Sequence, residues 1–249
     1  MKNIKRILKE EFINGKTLFQ WCFLALGLVL QIIAIVYGFI SGTPDNVACI
    51  ISGLTGVISV VLCAEGKISF YIFGYIQLLT YVIAVAIPYH LWGELAENVF
   101  YFVTMIIGTV IWFKNYKKDN KDSVRVESKL LTKKGWIISV ISLVISTILL
   151  AFILMNINVW FSSIPADPTP WFDSITTTAP LIAQILLMFG YREQWAFWII
   201  EDIMSLVMFI VLGNWIMVAQ YLFWTINCVY GWIKWTKNTN GEKYYADKI

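Results

Sequence analysis

Apolar and polar residues follow one another along the chain in long blocks. Apolar runs of about 20 residues, the length that crosses a bilayer core about 30 Å thick, are separated by short polar turns. A helix satisfies its own backbone hydrogen bonds in hydrocarbon, so each run is predicted to be a transmembrane helix. The pattern predicts an all-α polytopic membrane protein with eight transmembrane helices, at residues 18–40, 47–63, 68–87, 96–115, 136–157, 174–190, 195–212 and 214–236.

The composition of the 249-residue chain supports this class. Hydrophobic residues make up 59% of the chain and charged residues 14%, against about 25% charged residues in soluble domains. So few charges cannot form the polar surface of a soluble enzyme or keep a disordered chain in solution. A transmembrane β-barrel is excluded as well, because its strands would alternate apolar and polar residues.

The basic residues predict the orientation in the membrane. All 19 Lys and Arg residues lie before the first segment, after the last, or in every second loop between them. Because cytoplasmic loops are enriched in Lys and Arg, both termini are predicted to be cytoplasmic. The basic clusters are expected to contact anionic lipid of the bilayer, and no nucleic acid partner is expected. The opposite loops carry Asp45, Glu94, Glu97, Asp167 and Asp173.

The ends of the segments carry many tryptophans. Most of these are predicted to anchor helices at the membrane interface. The tryptophans near segment ends are Trp21, Trp92, Trp112, Trp136, Trp160, Trp171, Trp215, Trp232 and Trp235.

The first 16 residues are polar and basic, so no cleavable signal peptide is expected.

The residues suited to catalysis are few. Cys22, Cys49, Cys63 and Cys228 lie in apolar runs and are predicted to be small buried residues, not disulfides or metal ligands. The single histidine, His90, lies in an outer turn, and the chain has no nucleotide-binding or hydrolase motif. We therefore predict no catalytic residue, no metal and no cofactor, and a protein that is not an enzyme.

The second half of the chain resembles the first. The turns before segments three and seven align on their basic residues, Lys67 and Arg192, and the last helices align on Trp112 and Trp232. This predicts one extra N-terminal helix followed by a 3+1+3 parallel repeat, with a substrate site between the halves, as in some transporters. The divisions are 1–44 (N-terminus and extra helix), 45–115 (first repeat), 116–173 (basic loop, linker helix and outer loop), 174–237 (second repeat) and 238–249 (cytoplasmic tail).

Polar and aromatic residues recur on single faces of the predicted helices. In segment seven, Trp195, Trp198 and Asp202 share one stripe, and in segment three the same alignment gives Gln77 the position of Asp202. An Asp at the bilayer centre costs roughly 2.5–3.5 kcal/mol, which favours a ligand-related role. The candidate substrate-binding residues are Trp195, Trp198, Asp202, Gln77, Asn227, Gln184, Trp224, Phe73 and Tyr81.

The residue types indicate a class of ligand. Two indole faces beside a carboxylate suit a flat, cationic aromatic molecule, and nearby amides suit its hydroxyl or carboxamide groups. Plain interhelical hydrogen bonding remains an alternative for Gln184 and the other amides. Glu201, about 100° around the helix from Asp202, is interpreted as an interhelical or intersubunit contact or a protonated structural acid, ahead of a second ligand contact.

The stretch Trp195-Ala-Phe-Trp198-Ile-Ile-Glu-Asp202 resembles the WxxWxxxD signature of the PnuC family of bacterial vitamin transporters. The resemblance implies a SWEET-like fold, uptake of nicotinamide riboside (vitamin B3) by facilitated diffusion with alternating access, and trapping of the substrate by a cytoplasmic riboside kinase. It also implies a location in the bacterial inner membrane and a homo-oligomer, such as a trimer. It assigns substrate binding to the three motif residues, whereas the other candidates follow from their positions.

Other functions fit parts of the sequence. Related transporters carry other vitamins such as thiamine, which is also cationic. A membrane-embedded enzyme could use Glu201 and Asp202 as acids, although this pair lacks the surrounding carboxylate or His cluster that metal-dependent chemistry needs. A sensor or scaffold subunit is a third possibility, but the short loops leave little surface for partners.

Overall fold

The computed structural model describes residues 11–13, 16–42, 47–88, 92–118, 128–162, 168–211, 213 and 215–239. The longer elements in these ranges are all helical, which confirms the prediction of an all-α polytopic membrane protein. His90, the loop residues 119–127 and the tail residues 240–249 lie outside the described residues. The helices are α1 (Leu18–Ile40), α2 (Val47–Ala64), α3 (Phe70–Tyr81), α4 (Trp92–Lys118), α5 (Lys133–Trp160), α6 (Pro170–Phe189), α7 (Gln194–Val211) and α8 (Trp215–Thr239).

Local chemistry determines where several helices begin. Thr17 caps α1 through a reciprocal pair of hydrogen bonds with Gln20, which satisfies backbone donors that the first turn leaves open. Thr132 caps α5 by accepting a hydrogen bond from the backbone N–H of Gly135 at 3.0 Å. Helix α6 begins with Pro170, whose fixed φ suits a first helical position.

Helix α3 ends differently from the prediction of one continuous helix over 68–87. After Tyr81 the backbone continues as a π-helical segment, Val82–Ala86. The backbone N–H of Ile87 donates to the carbonyl of Val82 at 3.0 Å, the longer step that defines this geometry. The apolar pattern cannot distinguish the two helical forms, since both bury similar side chains.

Six helices are long and apolar enough to cross a bilayer: α1, α2, α5, α6, α7 and the Leu95–Lys114 part of α4. Helix α3 with its π segment is apolar but shorter, and α8 is more polar, with Gln220, Asn227 and Lys234 along its length. The count of eight transmembrane helices therefore stays a prediction.

The chain divides into two compact units, Met1–Glu127 and Ser128–Ile249. In the first unit, α1 packs on α2, α2 on α3, and α3 with its π segment on α4. In the second unit, α5 packs on α6, α6 on α7, and α7 on α8. Each unit is thus a short series of neighbouring helices, as expected when consecutive elements pack side by side.

The surfaces of α1 and α5 are apolar and exposed. Only 17% of the most apolar stretch of α1 is buried within the protein, and 6% of that of α5. Such surfaces suit the hydrocarbon of a bilayer. Cys63 and Cys228 are buried as predicted, but the prediction is wrong for Cys22, which is exposed on α1. A thiol behaves as a small apolar group, so the lipid-facing side of a helix accommodates it.

The turns before α3 and α7 share one backbone geometry. Gly66 and Gly190 both have left-handed φ values, 70° and 78°, which a side chain would disfavour. The next backbone N–H, of Lys67 or Tyr191, bonds back to the last turn of the preceding helix at 3.0 Å and 2.9 Å. The two glycines are therefore structural counterparts.

This geometry corrects the predicted alignment of the halves. Matching the glycines pairs Tyr71 with Trp195 and Leu78 with Asp202, so Gln77 is not the counterpart of Asp202. The prediction aligned the turns on two basic side chains, Lys67 and Arg192, which do not determine the backbone geometry of a turn. The left-handed glycine is a stricter marker, because the backbone itself depends on it.

One tryptophan near the end of each unit is buried: Trp112 in the first and Trp235 in the second. Trp112 meets Tyr71 edge to face, with ring centroids 5.3 Å apart at 83°, and Trp235 meets Trp195 in the same way at 5.9 Å and 84°. Trp112 thus corresponds to Trp235, not to Trp232. The prediction of interfacial anchoring is wrong for Trp112 and Trp235, which are 0% and 1% exposed. Trp21, Trp160, Trp171 and Trp215 are exposed, and their anchoring at a membrane interface stays a prediction.

Candidate functional site

Helix α7 of the second unit carries the three motif residues, one turn or two turns apart. Trp195 is 3% exposed and Asp202 is 3% exposed, while Trp198 is half-buried. Ser205, one turn further along, is also buried. The predicted stripe therefore faces inward within its own unit, but its members have different surroundings.

Trp195 lies against α8. A side chain at Gly231 would place its Cβ 2.6 Å from two carbons of the Trp195 indole, so the ring lies directly against the bare backbone of α8. Trp235 completes the contact from one turn further along α8. The indole Nε1 of Trp195 is buried without a hydrogen-bond partner among the described residues. Trp195 therefore joins α7 to α8 and carries one buried donor.

Trp198 lies on another side of α7. It packs against an apolar cluster formed by α5, α6 and α7, whose buried members include Leu143, Ala183 and Phe197. Because it is only half-buried, part of its ring is free of this cluster. A partly exposed indole has ring surface left to stack on a flat molecule.

Asp202 is the buried carboxyl group of α7. Cys228 of α8 and Glu201, the neighbour of Asp202 in the chain, lie close to this carboxyl group. Its Oδ2 atom is buried and has no hydrogen-bond partner in the part of the chain that the structure describes. A buried polar atom without a partner costs about 1–3 kcal/mol, so Oδ2 favours a hydrogen-bond donor from a ligand.

Glu201 contacts two side chains of its own helix, and its interpretations as an interhelical or intersubunit contact or as a protonated structural acid stay predictions. It is half-buried, and its Oε1 accepts a hydrogen bond from the Ser205 hydroxyl at 3.0 Å within the same helix. Together with the contact to Asp202, this bond holds the Glu201 carboxyl beside the site. No group of three or more His, Cys, Asp or Glu side chains that could hold a metal ion occurs among the described residues.

The other candidates of the second unit lie on helices that flank α7. Gln184 is buried on α6, one turn after Pro180, where the missing backbone N–H interrupts the helix ladder. Asn227 is buried on α8, directly before Cys228, and Trp224 is half-buried one turn earlier. The contact between Cys228 and Asp202 brings this part of α8 to the carboxyl group.

The candidates of the first unit have partners there. Phe73 meets Phe12 edge to face at 6.0 Å. The side chain of Gln77 passes Gly56 on α2, whose Cβ would lie 3.3 Å from its Cγ. Tyr81 is half-buried at the end of α3, where the π segment begins. The role of these three residues in binding stays a prediction.

Three residues of α8 around the motif were not among the candidate site residues: Gly231, Trp235 and Cys228. The signal for Gly231 and Trp235 was their helical spacing from Cys228, which puts all three on one face. Trp195 lies so close to α8 that position 231 requires a glycine. Cys228 was interpreted only as a small apolar residue, which hid its capacity to donate a hydrogen bond.

The motif and its surroundings agree with comparisons to known proteins. A sequence model of the family described as "Nicotinamide mononucleotide transporter" matches residues 46–237. The chain belongs to this family. The PnuC nicotinamide riboside transporter of Haemophilus influenzae is 34% identical over 233 residues, which cover 92% of this chain and 95% of that protein. The PnuC nicotinamide riboside transporter of Neisseria mucosa is 29% identical over 239 residues, with 92% and 85% covered.

A solved structure supports the same conclusion. The crystal structure of the vitamin B3 transporter PnuC matches with a TM-score of 0.70 and 27% identity, covering 94% of this chain and 97% of that one. The predicted resemblance to the PnuC family is therefore confirmed. As a PnuC-family member, the chain is a multi-pass bacterial membrane transporter and not an enzyme, which removes the alternative of acid catalysis by Glu201 and Asp202.

Proposed function

We propose that the chain takes up nicotinamide riboside across the bacterial inner membrane by facilitated diffusion with alternating access. The names of the relatives from Haemophilus influenzae and Neisseria mucosa support this substrate. The motif residues Trp195, Trp198 and Asp202 support the same choice, because riboside chemistry combines a flat cationic ring with hydroxyl groups.

The observation that carries the proposal is the unpartnered Oδ2 atom of Asp202 in the described part of the chain. In this proposal a ribose hydroxyl donates to Oδ2. The pyridinium ring stacks on the exposed part of the Trp198 indole, one helical turn before Asp202. The buried amides of Gln184 and Asn227 bond further polar groups of the ligand, and Trp224 adds an apolar wall. Trp195 supports the site chiefly by fixing α7 on α8.

The charges favour the riboside over its phosphate ester. Helices α6 and α7 contain no Lys or Arg, whereas α7 contributes the two carboxyl groups of Glu201 and Asp202. A phosphate group carries about −1.5 to −2 charges near neutral pH and seeks Arg or Lys partners. A ligand with a phosphate would meet repulsion in this part of the chain.

The remaining predictions complete the proposal. We infer that the two units are copies of one three-helix element, supported by their matching glycine turns and aromatic pairs. The eight transmembrane helices, the predicted domain divisions and the cytoplasmic termini belong to the same proposal. Trapping by a cytoplasmic riboside kinase and assembly into a homo-oligomer such as a trimer come from the family resemblance.

Transport into proteoliposomes tests the proposal. With labelled nicotinamide riboside and no ATP or ion gradient, uptake should stop when the inside and outside concentrations are equal. Accumulation beyond that level should require a riboside kinase and ATP sealed inside the vesicles. Unlabelled riboside should compete for uptake, and the mononucleotide should not. Entry of labelled thiamine, without entry of the riboside, would contradict the substrate and favour the other vitamin.

A further inference from the structure

Gln194 begins α7, directly before the first tryptophan of the motif. Its side chain is 0% exposed, and neither its amide oxygen Oε1 nor its amide nitrogen Nε2 has a hydrogen-bond partner among the described residues. Two other buried amides of the second unit, Gln184 and Asn227, do interact with other residues of the chain. Since burial of an unpaired amide destabilises a fold, a partner for Gln194 is expected from outside the chain.

Gln194, Trp198 and Asp202 follow one another at intervals of four residues on α7. Four residues advance a helix by about 6 Å and turn it about 40° past one full turn, so the three side chains lie in order along one face. The series spans about 12 Å along the helix axis. The partly exposed indole of Trp198 therefore has an amide on one side of it along the helix and a carboxyl group on the other.

The first unit lacks all three of these side chains. The turn glycines match Phe70, Gly74 and Leu78 of α3 with the three residues of the series on α7. Phe70 begins α3 as Gln194 begins α7, and it is 4% exposed. The fold therefore accepts an apolar side chain at the position where α7 has the amide. The amide, the indole and the carboxyl group occur together in one unit and are missing together in the other, which indicates a shared role.

A carboxamide has the hydrogen-bonding groups that complement an unpaired glutamine side chain. Both groups are primary amides with a C=O acceptor and an NH2 donor, so they pair head to tail through two hydrogen bonds. A carboxylate offers no hydrogen to Oε1, and an unsubstituted ring offers neither donor nor acceptor. In nicotinamide riboside the flat ring stands between the carboxamide and the ribose. The amide, the indole and the carboxyl group follow in the same order along α7.

We propose that Gln194 is a specificity-determining residue that binds the carboxamide of the transported riboside. The ring then stacks on Trp198 and the ribose lies toward Asp202, so the carboxamide is at the beginning of the helix. This inference rests on the proposed function for the identity of the ligand. Because Gln194 is out of water in this structure, the two amides pair in a conformation in which the packing at the beginning of α7 has opened.

Two ligands that differ only in the ring substituent test the proposal on the wild-type protein. Pyridine riboside keeps the cationic ring and the ribose but lacks the carboxamide. Calorimetry on purified protein should show that it binds at least about tenfold more weakly than nicotinamide riboside, because the buried amide is left without its partner. Equal affinities for the two ligands would overturn the proposal.

Gln194→Met tests whether the amide causes that preference. Methionine is similarly long and has no hydrogen to donate, so the preference for nicotinamide riboside should fall to within about threefold. Affinity for pyridine riboside should change less than about twofold, since the ligand has no group for the amide. A tenfold preference that survives the substitution would overturn the proposal. Gln194→Leu provides the same test if the methionine variant does not fold.

The melting temperature of the ligand-free protein gives a second readout. Gln194→Met should leave it unchanged or raise it, because an apolar side chain replaces a buried amide that has no partner in the described part of the chain. A side chain that only supports the fold would lower the melting temperature when it is replaced. A lower melting temperature together with an unchanged ligand preference would therefore overturn the proposal.

Tyr71→Phe is the matched control. It removes another buried polar group, a hydroxyl on α3 with no hydrogen-bond partner among the residues described. Its effect on the melting temperature should have the same direction as that of Gln194→Met, whereas the preference for nicotinamide riboside should stay at the wild-type value. Loss of the preference in Tyr71→Phe as well would show that the effect is not specific to Gln194 and would overturn the proposal.

The two proposals fail in different ways. If the wild-type protein binds neither riboside, the proposed substrate is wrong and the carboxamide contact is refuted with it. If it binds both ribosides equally well, or keeps its preference in Gln194→Met, the proposed function stands and only the role of Gln194 is refuted.

Discussion

Asp202 concentrates the chemistry of the site in a single side chain. Its carboxyl group is buried. Cys228 and Glu201 lie close to it, and neither of them carries a positive charge. Two roles are open to such a group toward a cationic riboside: it can accept hydrogen bonds from hydroxyls or balance the charge of the ring. We favour hydrogen bonding, because the aromatic face of Trp198 already attracts the cation.

Asp202→Asn separates the two roles. An amide oxygen still accepts a hydrogen bond, so the substitution should cost less than a tenfold loss of affinity, or about 1.4 kcal/mol. The loss should be equal for the cationic riboside and for its neutral, reduced-ring analogue, measured by calorimetry on purified protein. Glu201→Gln is the matched control and should have the smaller effect. A loss confined to the cationic ligand would show that the carboxylate acts through its charge.

The two tryptophans of the motif should respond differently to removal. Trp198→Ala should weaken riboside binding by about 1–2 kcal/mol, a desolvated cation–π contact. Trp195→Ala should mainly lower the free energy of unfolding, by about 3–5 kcal/mol, because its indole fills the space between α7 and α8. Calorimetry gives the affinities and thermal unfolding in detergent gives the stabilities. Unchanged affinity in Trp198→Ala would return that residue to a purely structural role.

The motif tryptophans and Asp202 could be predicted from the sequence, because a carboxyl group and two indoles at helical spacing are rare in an apolar span. The position of Cys228 close to Asp202 could not be predicted. A lone thiol in an apolar run gives the same sequence pattern whether it packs among apolar side chains or lies near a polar group. The sequence also could not predict that Trp195 and Trp198 pack against different helices. Their shared stripe does not determine which neighbouring helix each ring contacts.

At the scale of helices, the contact between α7 and α8 depends on a single missing side chain. Gly231→Ala would place a methyl group 2.6 Å from the Trp195 indole, which Trp235 of the same helix also contacts, edge to face. Overpacking of this kind costs about 1–3 kcal/mol. The variant should unfold at a lower temperature and bind the riboside less well, since α7 must move.

Gly56→Ala is a matched control for that substitution. It adds the same methyl group between α2 and α3, where the nearest atom, 3.3 Å away, belongs to the flexible side chain of Gln77. Its melting temperature should stay closer to that of the wild type. Equal melting temperatures for the two variants would mean that the α7–α8 contact tolerates more space than its geometry indicates.

The helices themselves could be predicted from the apolar runs, and the structure places each one within a few residues of its predicted position. The alignment between the two halves could not be predicted to the residue. A shift of one residue turns a side chain by about 100°, so aligning Lys67 with Arg192 exchanged Leu78 for Gln77 opposite Asp202. Only the left-handed φ of Gly66 and Gly190 resolves this choice, and dihedral angles are not visible in a hydropathy pattern.

For the whole molecule, orientation is the property with the strongest sequence signal. All 19 basic residues fall on one side of an eight-span arrangement, a distribution that a different number of spans would scatter. The structure supplies the helices but no bilayer, and by length and apolarity six of them qualify as spans. The orientation therefore has to be tested in a membrane.

Helix α5 offers a test of orientation at its two ends. Lys134 and Pro168 are both exposed, one in the first turn of α5 and the other beyond its end, before α6. In intact cells, a membrane-impermeant thiol reagent should label Pro168→Cys and should label Lys134→Cys only after the membrane is opened. The unsubstituted protein, with its four native cysteines, sets the background. Because α5 is the most apolar span, with a mean hydropathy of 2.9, its two ends must face opposite sides whatever α3 and α8 do. Labelling of Lys134→Cys in intact cells, with Pro168→Cys protected, would reverse the orientation of α5 and, in the eight-span arrangement, place the termini outside the cell.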